Sequence, residues 1–246
     1  MNSKENSSGV YLLPNLFTTA SLFAAFYAIV AAFKSQYEAA IIAIFIGMIA
    51  DSLDGRIARL TNTQSAFGAQ YDSLSDMVTF GVAPALLLYS WTLQQLGKIG
   101  WLVAFIYTAT VALRLARFNT KVGTVDKRYF QGLACPAAAA LVSSFVWLCH
   151  QNQNHLFIIS LITAILTIIA SALMVSNIRY HSFKEVDFKG HVPFLYLLLM
   201  IILFVAIAAN PSLILFTGFV IYALSGPIQL LIKLKRIRSQ KKSSEE

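Results

Sequence analysis

Four aspartates carry the chemistry: Asp51, Asp54, Asp72 and Asp76. They lie within DSLDGRIARLTNTQSAFGAQYDSLSD, in a chain of 246 residues that is 57% hydrophobic. Ionisable side chains at membrane depth are costly, and where they occur they point to a functional site. Residues three, four, seven and eight apart share a helix face. Asp51 therefore shares a stripe with Asp54, Gly55, Ala58 and Arg59, and Gly68 shares one with Asp72 and Asp76. A short connection makes the two helices antiparallel neighbours, so the stripes can converge. Carboxylates that close cannot all stay ionised without positive charge between them. Their oxygens suit hard divalent ions such as Mg²⁺, Mn²⁺ or Ca²⁺. Two such ions about 3.5–4 Å apart are a recurrent device of phosphoryl transfer. The small residues Gly55, Ala58 and Gly68 leave room for a ligand beside the helix backbones, and Arg59 can give a phosphate two hydrogen bonds. Any one of these aspartates alone would read as a solvated helix-end residue. Four on matching stripes do not.

The elements that must position these acids are membrane spans. Only 12% of the residues are charged, against about 25% in a soluble domain, and mean hydropathy is +0.67. The expected fold is an all-α, polytopic membrane helix bundle. Apolar stretches place eight transmembrane helices at about residues 13–33, 39–60, 67–96, 101–118, 133–150, 156–176, 192–209 and 212–232. Each is near the ~20 residues that cross ~30 Å of hydrocarbon. Pro14 and Asn15 are expected to open the first, and Asn210-Pro211 to separate the last two. The cysteines, Cys135 and Cys149, lie about 21 Å apart on one helix. That is too far for a disulfide, so both are expected to pack.

Charge gives the orientation. All 19 lysines and arginines except Lys34 and Lys98 fall in alternate connections or at the termini. The positive-inside rule then puts both termini and the acidic stretch on the cytoplasmic side. The net charge of +8 is accounted for by topology and affinity for anionic lipid, and no basic domain is left over to bind nucleic acid. A divalent-cation transporter would also need intramembrane acids, but near the midplane on broken helices, not at one surface. Membrane prenyltransferases also bind diphosphate through aspartates, but on two distant helices and without this Gly-Ala-Arg spacing.

Asp51-x₂-Asp54-Gly55-x₂-Ala58-Arg59-x₈-Gly68-x₃-Asp72-x₃-Asp76 resembles the signature of the CDP-alcohol phosphotransferases at all eight fixed positions. Phe67–Ala85, Leu113–Asn119 and Phe130–Ala140 are similar to the integral membrane phosphatidylserine synthases within that family. Ala134 stands where those usually carry proline, and Met77 where phosphatidylglycerophosphate synthases carry lysine. The resemblance implies one integral membrane domain over 1–246. It would comprise a six-helix core at about 10–176, two further helices at about 190–232 and a basic cytoplasmic tail at 233–246. It implies CDP-diacylglycerol as donor, L-serine as acceptor, and two divalent cations, Mg²⁺ or Mn²⁺, held by Asp51, Asp54, Asp72 and Asp76. Asp76 would also be the general base. Gly55, Ala58, Arg59, Ser65, Gly68 and Asn15 stand at the donor site. A homodimer in the inner membrane is also implied.

A zwitterionic acceptor needs a partner for its carboxylate. Arg114 and Arg117, at the cytoplasmic end of the fourth span, are the candidates, with Asn119, Lys121 and Gln131 behind them. Choline as acceptor would favour an aromatic cage, which is not evident beside Arg114; glycerol 3-phosphate is the other alternative.

Overall fold

The computed structural model describes residues 8–61, 63, 65–120, 129–150, 156–181 and 194–243. Lys121, and with it Lys4, Lys127, Arg128, Lys184, Lys189, His155 and His191, lie outside the described residues. The helices are α1 (Ser8–Phe33), α2 (Tyr37–Leu60), α3 (Ala66–Asp76), α4 (Ala83–Trp91), α5 (Lys98–Thr120), α6 (Cys135–Cys149), α7 (Leu156–Val175), α8 (Phe194–Ala209) and α9 (Pro211–Ser243).

Each of the eight apolar stretches is helical, but not every one spans on its own merits. Five segments are long and apolar enough to cross a membrane: Pro14–Phe33, Ala66–Trp91, Lys98–Thr120, Phe157–Val175 and Pro211–Ile232. α6 and α8 are apolar but have only 15 and 16 residues, about 22–24 Å of helix. α2 carries Asp51, Asp54, Arg56 and Arg59 in its last three turns.

Two expectations need correction. Pro14 does not open the first helix; α1 begins at Ser8 and Pro14 lies inside it. The third span is not one regular helix. α3 passes into a π-helical turn, Met77–Val82, and then into α4, with a short 3₁₀ turn at Leu93–Leu96. The all-α class holds; the only addition among the described residues is a short antiparallel ribbon of β1 (Tyr129–Gln131) and β2 (Arg179–His181), pairing Phe130 with Tyr180 and Gln131 with Arg179. Gly132 ends β1 at φ +77°, and a Cβ there would run into the Met174 carbonyl. Only glycine meets both demands at low cost.

Small residues bring the helices together. Without a hydrophobic drive between helices in lipid, close backbone approach and van der Waals contact take over. Ala24, Ala25, Ala28, Ala31 and Ala32 of α1 are buried, as are Ala40 and Ala43 of α2. α6 is the central helix. Its residues Ala137–Val146 are all buried, so the alanine run of the sequence forms the interior of the bundle. Thr92 of the α4–α5 turn and Ser160 of α7 hydrogen-bond in the interior at 2.5 Å.

Candidate metal and phosphate site

The acids gather between the last three turns of α2 and the second half of α3, whose final residue is Asp76. Asp51, Asp72 and Asp76 each bring a carboxylate oxygen to within 4.8 Å of the others. The Asp51 and Asp76 carboxyls lie within hydrogen-bonding reach of each other. Asp76 Oδ1 is buried and has no hydrogen-bond partner among the described residues. A buried, unpartnered carboxylate oxygen beside two further carboxylates calls for a cation. An all-oxygen donor set fits Mg²⁺ or Mn²⁺ better than a soft metal.

The fourth aspartate stands slightly apart. Asp54 is buried, and its Oδ2 accepts a hydrogen bond of 2.8 Å from the Thr18 hydroxyl of α1. Thr18 thereby holds the carboxylate from a helix that contributes no acid. Its backbone also serves the site, because Ser75 Oγ donates to the Thr18 carbonyl at 3.1 Å. Tyr71 and Thr19 hydroxyls meet at 3.0 Å. α1 therefore clamps both acid-bearing helices.

The residues expected at the donor site have the following surroundings. Gly55 faces open space, with nothing within 4 Å of a Cβ built there, so a ligand can approach its backbone. Ala58 is half-buried and Arg59 is exposed at the end of α2. Ser65 caps α3: its side chain accepts from the Gly68 N–H at 3.0 Å, satisfying a backbone donor that the helix leaves open. A Cβ on Gly68 would meet Ser65 Oγ at 3.1 Å and Asn15 Oδ1 at 3.5 Å. Asn15, Ser65 and Gly68 therefore form one small cluster where α1 meets the start of α3.

The π-helical turn follows Asp76 directly. Such turns recur at functional sites because they re-aim side chains and free backbone groups. Here the Phe80 carbonyl accepts from the Tyr107 hydroxyl of α5 at 3.0 Å, and both residues are fully buried. Gly81 packs against Val111.

The two arginines differ in their surroundings. Arg117 Nη2 donates to Gln131 Oε1 at 2.8 Å and to Asn177 Oδ1 at 2.6 Å, and Nη1 donates to the Val175 carbonyl at 3.4 Å. Arg114 Nη1 donates to Cys135 Sγ at 3.3 Å, while its buried Nε has no partner among the described residues. Asn119 instead pairs with Ser73 at 3.0 Å. Both cysteines are free, as expected, but Cys135 does more than pack.

Sequence reasoning missed Thr18, Tyr107, Cys135, Asn177 and Tyr180. Hydroxyl residues in membrane helices are common, and nothing local singles these out. Proximity to a motif was the one usable signal, and it pointed only to Cys135, which lies inside the quoted stretch Phe130–Ala140.

A helical multi-pass membrane bundle with a carboxylate-lined site is the class that fold and site define. The chain matches the family model described as CDP-alcohol phosphatidyltransferase over residues 11–226, and it belongs to that family. The match extends past the expected six-helix core into α9. Among relatives, it is 38% identical over 241 residues to the CDP-diacylglycerol–serine O-phosphatidyltransferase of Helicobacter pylori (strain ATCC 700392 / 26695), covering 96% of this chain and 98% of that protein. It is 32% identical to the protein of the same name from Mycobacterium leprae (strain TN), covering 86% and 72%. It is 35% identical to the archaetidylserine synthase of Methanothermobacter thermautotrophicus (strain ATCC 29096 and synonyms), covering 73% of each. The family sets the chain among transferases, and the transporter and prenyltransferase alternatives fall away.

Proposed function

We propose that this chain transfers the phosphatidyl group of CDP-diacylglycerol to the hydroxyl of L-serine, giving phosphatidylserine and CMP. The convergence of Asp51, Asp72 and Asp76 within the family signature carries the reading, and the serine-specific names of relatives across nearly the whole chain support the acceptor.

Asp51, Asp54, Asp72 and Asp76 would hold two divalent cations, Mg²⁺ or Mn²⁺. When bound, these neutralise pyrophosphate charge and stabilise the leaving phosphate. The protein does the rest. Asn15, Gly55, Ala58, Arg59, Ser65 and Gly68 bind the donor, with Arg59 on its phosphates and the small residues admitting it to the backbone. Arg114 and Arg117 form the acceptor side, where the serine carboxylate binds. Asp76 takes the proton from the serine hydroxyl. The serine oxygen forms a bond to the β-phosphorus, the bond from that phosphorus to the bridging oxygen breaks, and CMP leaves with the electron pair.

The same reading has eight membrane crossings, with α2, α6 and α8 completing the five self-sufficient spans. It puts the site and both termini on the cytoplasmic side of the inner membrane, as the lysines and arginines favour. Reporter fusions at each connection test that orientation. The homodimer implied by the family resemblance belongs to it too, and detergent-corrected mass tests it.

Asp76→Asn should abolish CMP release even at saturating donor and Mn²⁺, since the base acts in the transition state. Near-normal turnover in that variant would remove Asp76 from the role of base.

A further inference from the structure

α9 contains a break in its hydrogen-bond ladder that the reaction does not use. In an α-helix the carbonyl of residue 223 would accept from the N–H of residue 227. Pro227 lies inside α9 and has no N–H to give. The Tyr180 hydroxyl, from β2, takes that place and donates to the Ala223 carbonyl at 2.9 Å. Tyr180 is fully buried. Its ring fills a notch over Gly226, where a Cβ would collide with the ring atoms. It lies against the Tyr222 ring, with 5.7 Å between centroids. Gly226-Pro227 thus forms a socket in α9, and Tyr180 is seated in it.

What the socket holds leads to the arginines. Tyr180 pairs with Phe130 across the ribbon. The next residue of β1, Gln131, receives the 2.8 Å hydrogen bond from Arg117. Arg117 is further tied to Asn177 and Val175 at the end of α7, so its guanidinium is committed to β1 and to the segment that leads from α7 into β2. One turn earlier on α5, Arg114 keeps a buried Nε without a partner among the described residues. Tyr222 of α9 lies within electrostatic reach of Arg114.

We infer that the α9 socket is part of the acceptor pocket: by seating Tyr180 it fixes the ribbon that engages Arg117, and it leaves Arg114 to take the carboxylate of the acceptor. This rests on the serine-transfer reading. It also splits the roles of the two arginines. Arg114 touches substrate, while Arg117, Tyr180 and Gly226 are positioning residues. The helices beyond the six-helix core then set acceptor affinity rather than only anchoring the chain.

The test uses the full chain in lipid nanodiscs and three variants. Tyr180→Phe keeps the ring and loses the hydroxyl. Gly226→Ala pushes a methyl into the ring. Gly218→Ala, on the same helix, adds a methyl where nothing lies within 4 Å. CMP release is measured against serine at saturating donor, and against donor at saturating serine. Tyr180→Phe should raise the serine KM about fivefold, the scale of one lost hydrogen bond. Gly226→Ala should raise it further. The donor KM should stay within about twofold in both, and Gly218→Ala should match the parent protein, because only acceptor binding is affected. An unchanged serine KM in Tyr180→Phe overturns the inference, whatever the folding of Gly226→Ala. So does a parallel change in both KM values and kcat. Absence of serine-dependent CMP release from the parent protein overturns the serine reading itself.

Discussion

The Thr18 hydroxyl of α1 lies 2.8 Å from Asp54 Oδ2 of α2, and both residues are buried. The hydroxyl fixes one oxygen of the carboxylate that stands apart from the Asp51, Asp72 and Asp76 cluster. α1 carries none of the four acids, yet it determines where one of them points.

Thr18→Val removes that donor at nearly constant volume. A hydrogen bond to a charged group contributes about 1.5–3 kcal/mol. Mn²⁺ affinity should fall about tenfold or more, read by electron paramagnetic resonance of free Mn²⁺ in the presence of donor. Thr18→Ser should restore most of it. Equal Mn²⁺ binding in Thr18→Val and the parent protein would separate Asp54 from the metal site.

Asp72→Asn tests the cluster itself. Removing one charge from the three converging carboxylates should weaken Mn²⁺ binding by at least about tenfold, as loss of a charged hard-ion ligand does. Chelation by EDTA should abolish CMP release, and Mn²⁺ or Mg²⁺ should restore it. Undiminished Mn²⁺ binding in Asp72→Asn would count against that residue as a ligand.

Tyr107→Phe probes the π-helical turn. The Phe80 carbonyl loses its 3.0 Å donor in a fully buried setting. An orphaned buried acceptor costs about 1–3 kcal/mol, so thermal unfolding should begin at lower temperature. kcat should also fall, because the turn starts at the residue after Asp76. Lower stability with unchanged kcat would make the turn a packing feature alone.

Arg114→Ala should raise the serine KM about tenfold to a hundredfold while sparing donor binding, the range of a charge-assisted hydrogen bond lost. Arg117→Ala should also raise the serine KM, with a fall in thermal stability as the ribbon loses its tie. An unchanged serine KM in Arg114→Ala would remove that residue from the acceptor site.

The chemistry was more legible in the sequence than the packing. Helical spacing placed Asp51 with Asp72 and Asp76, because period and proximity are enough to bring stripes on neighbouring helices together. Asn210-Pro211 marked the break between α8 and α9 for an equally local reason. Pro14 misled, since a proline early in an apolar run is compatible with either the first turn or the second. The π turn, the Thr18–Asp54 pair and the seating of Tyr180 beside Pro227 were not legible. Each depends on two residues far apart in the chain meeting in space, and neither partner departs locally from what a membrane helix or a loop ordinarily contains. Charge counting gave an even number of crossings. Length and apolarity alone qualify five segments, because α6 and α8 are short and α2 is loaded with the charges of the site.

The most direct measurement is CMP release from CDP-diacylglycerol by the purified protein with Mn²⁺, run in parallel with L-serine, choline, glycerol 3-phosphate and inositol. Release with L-serine, matched by phosphatidylserine, and only background release with the other three is the expected result. Greater release with another alcohol, or none with serine, would contradict the assignment.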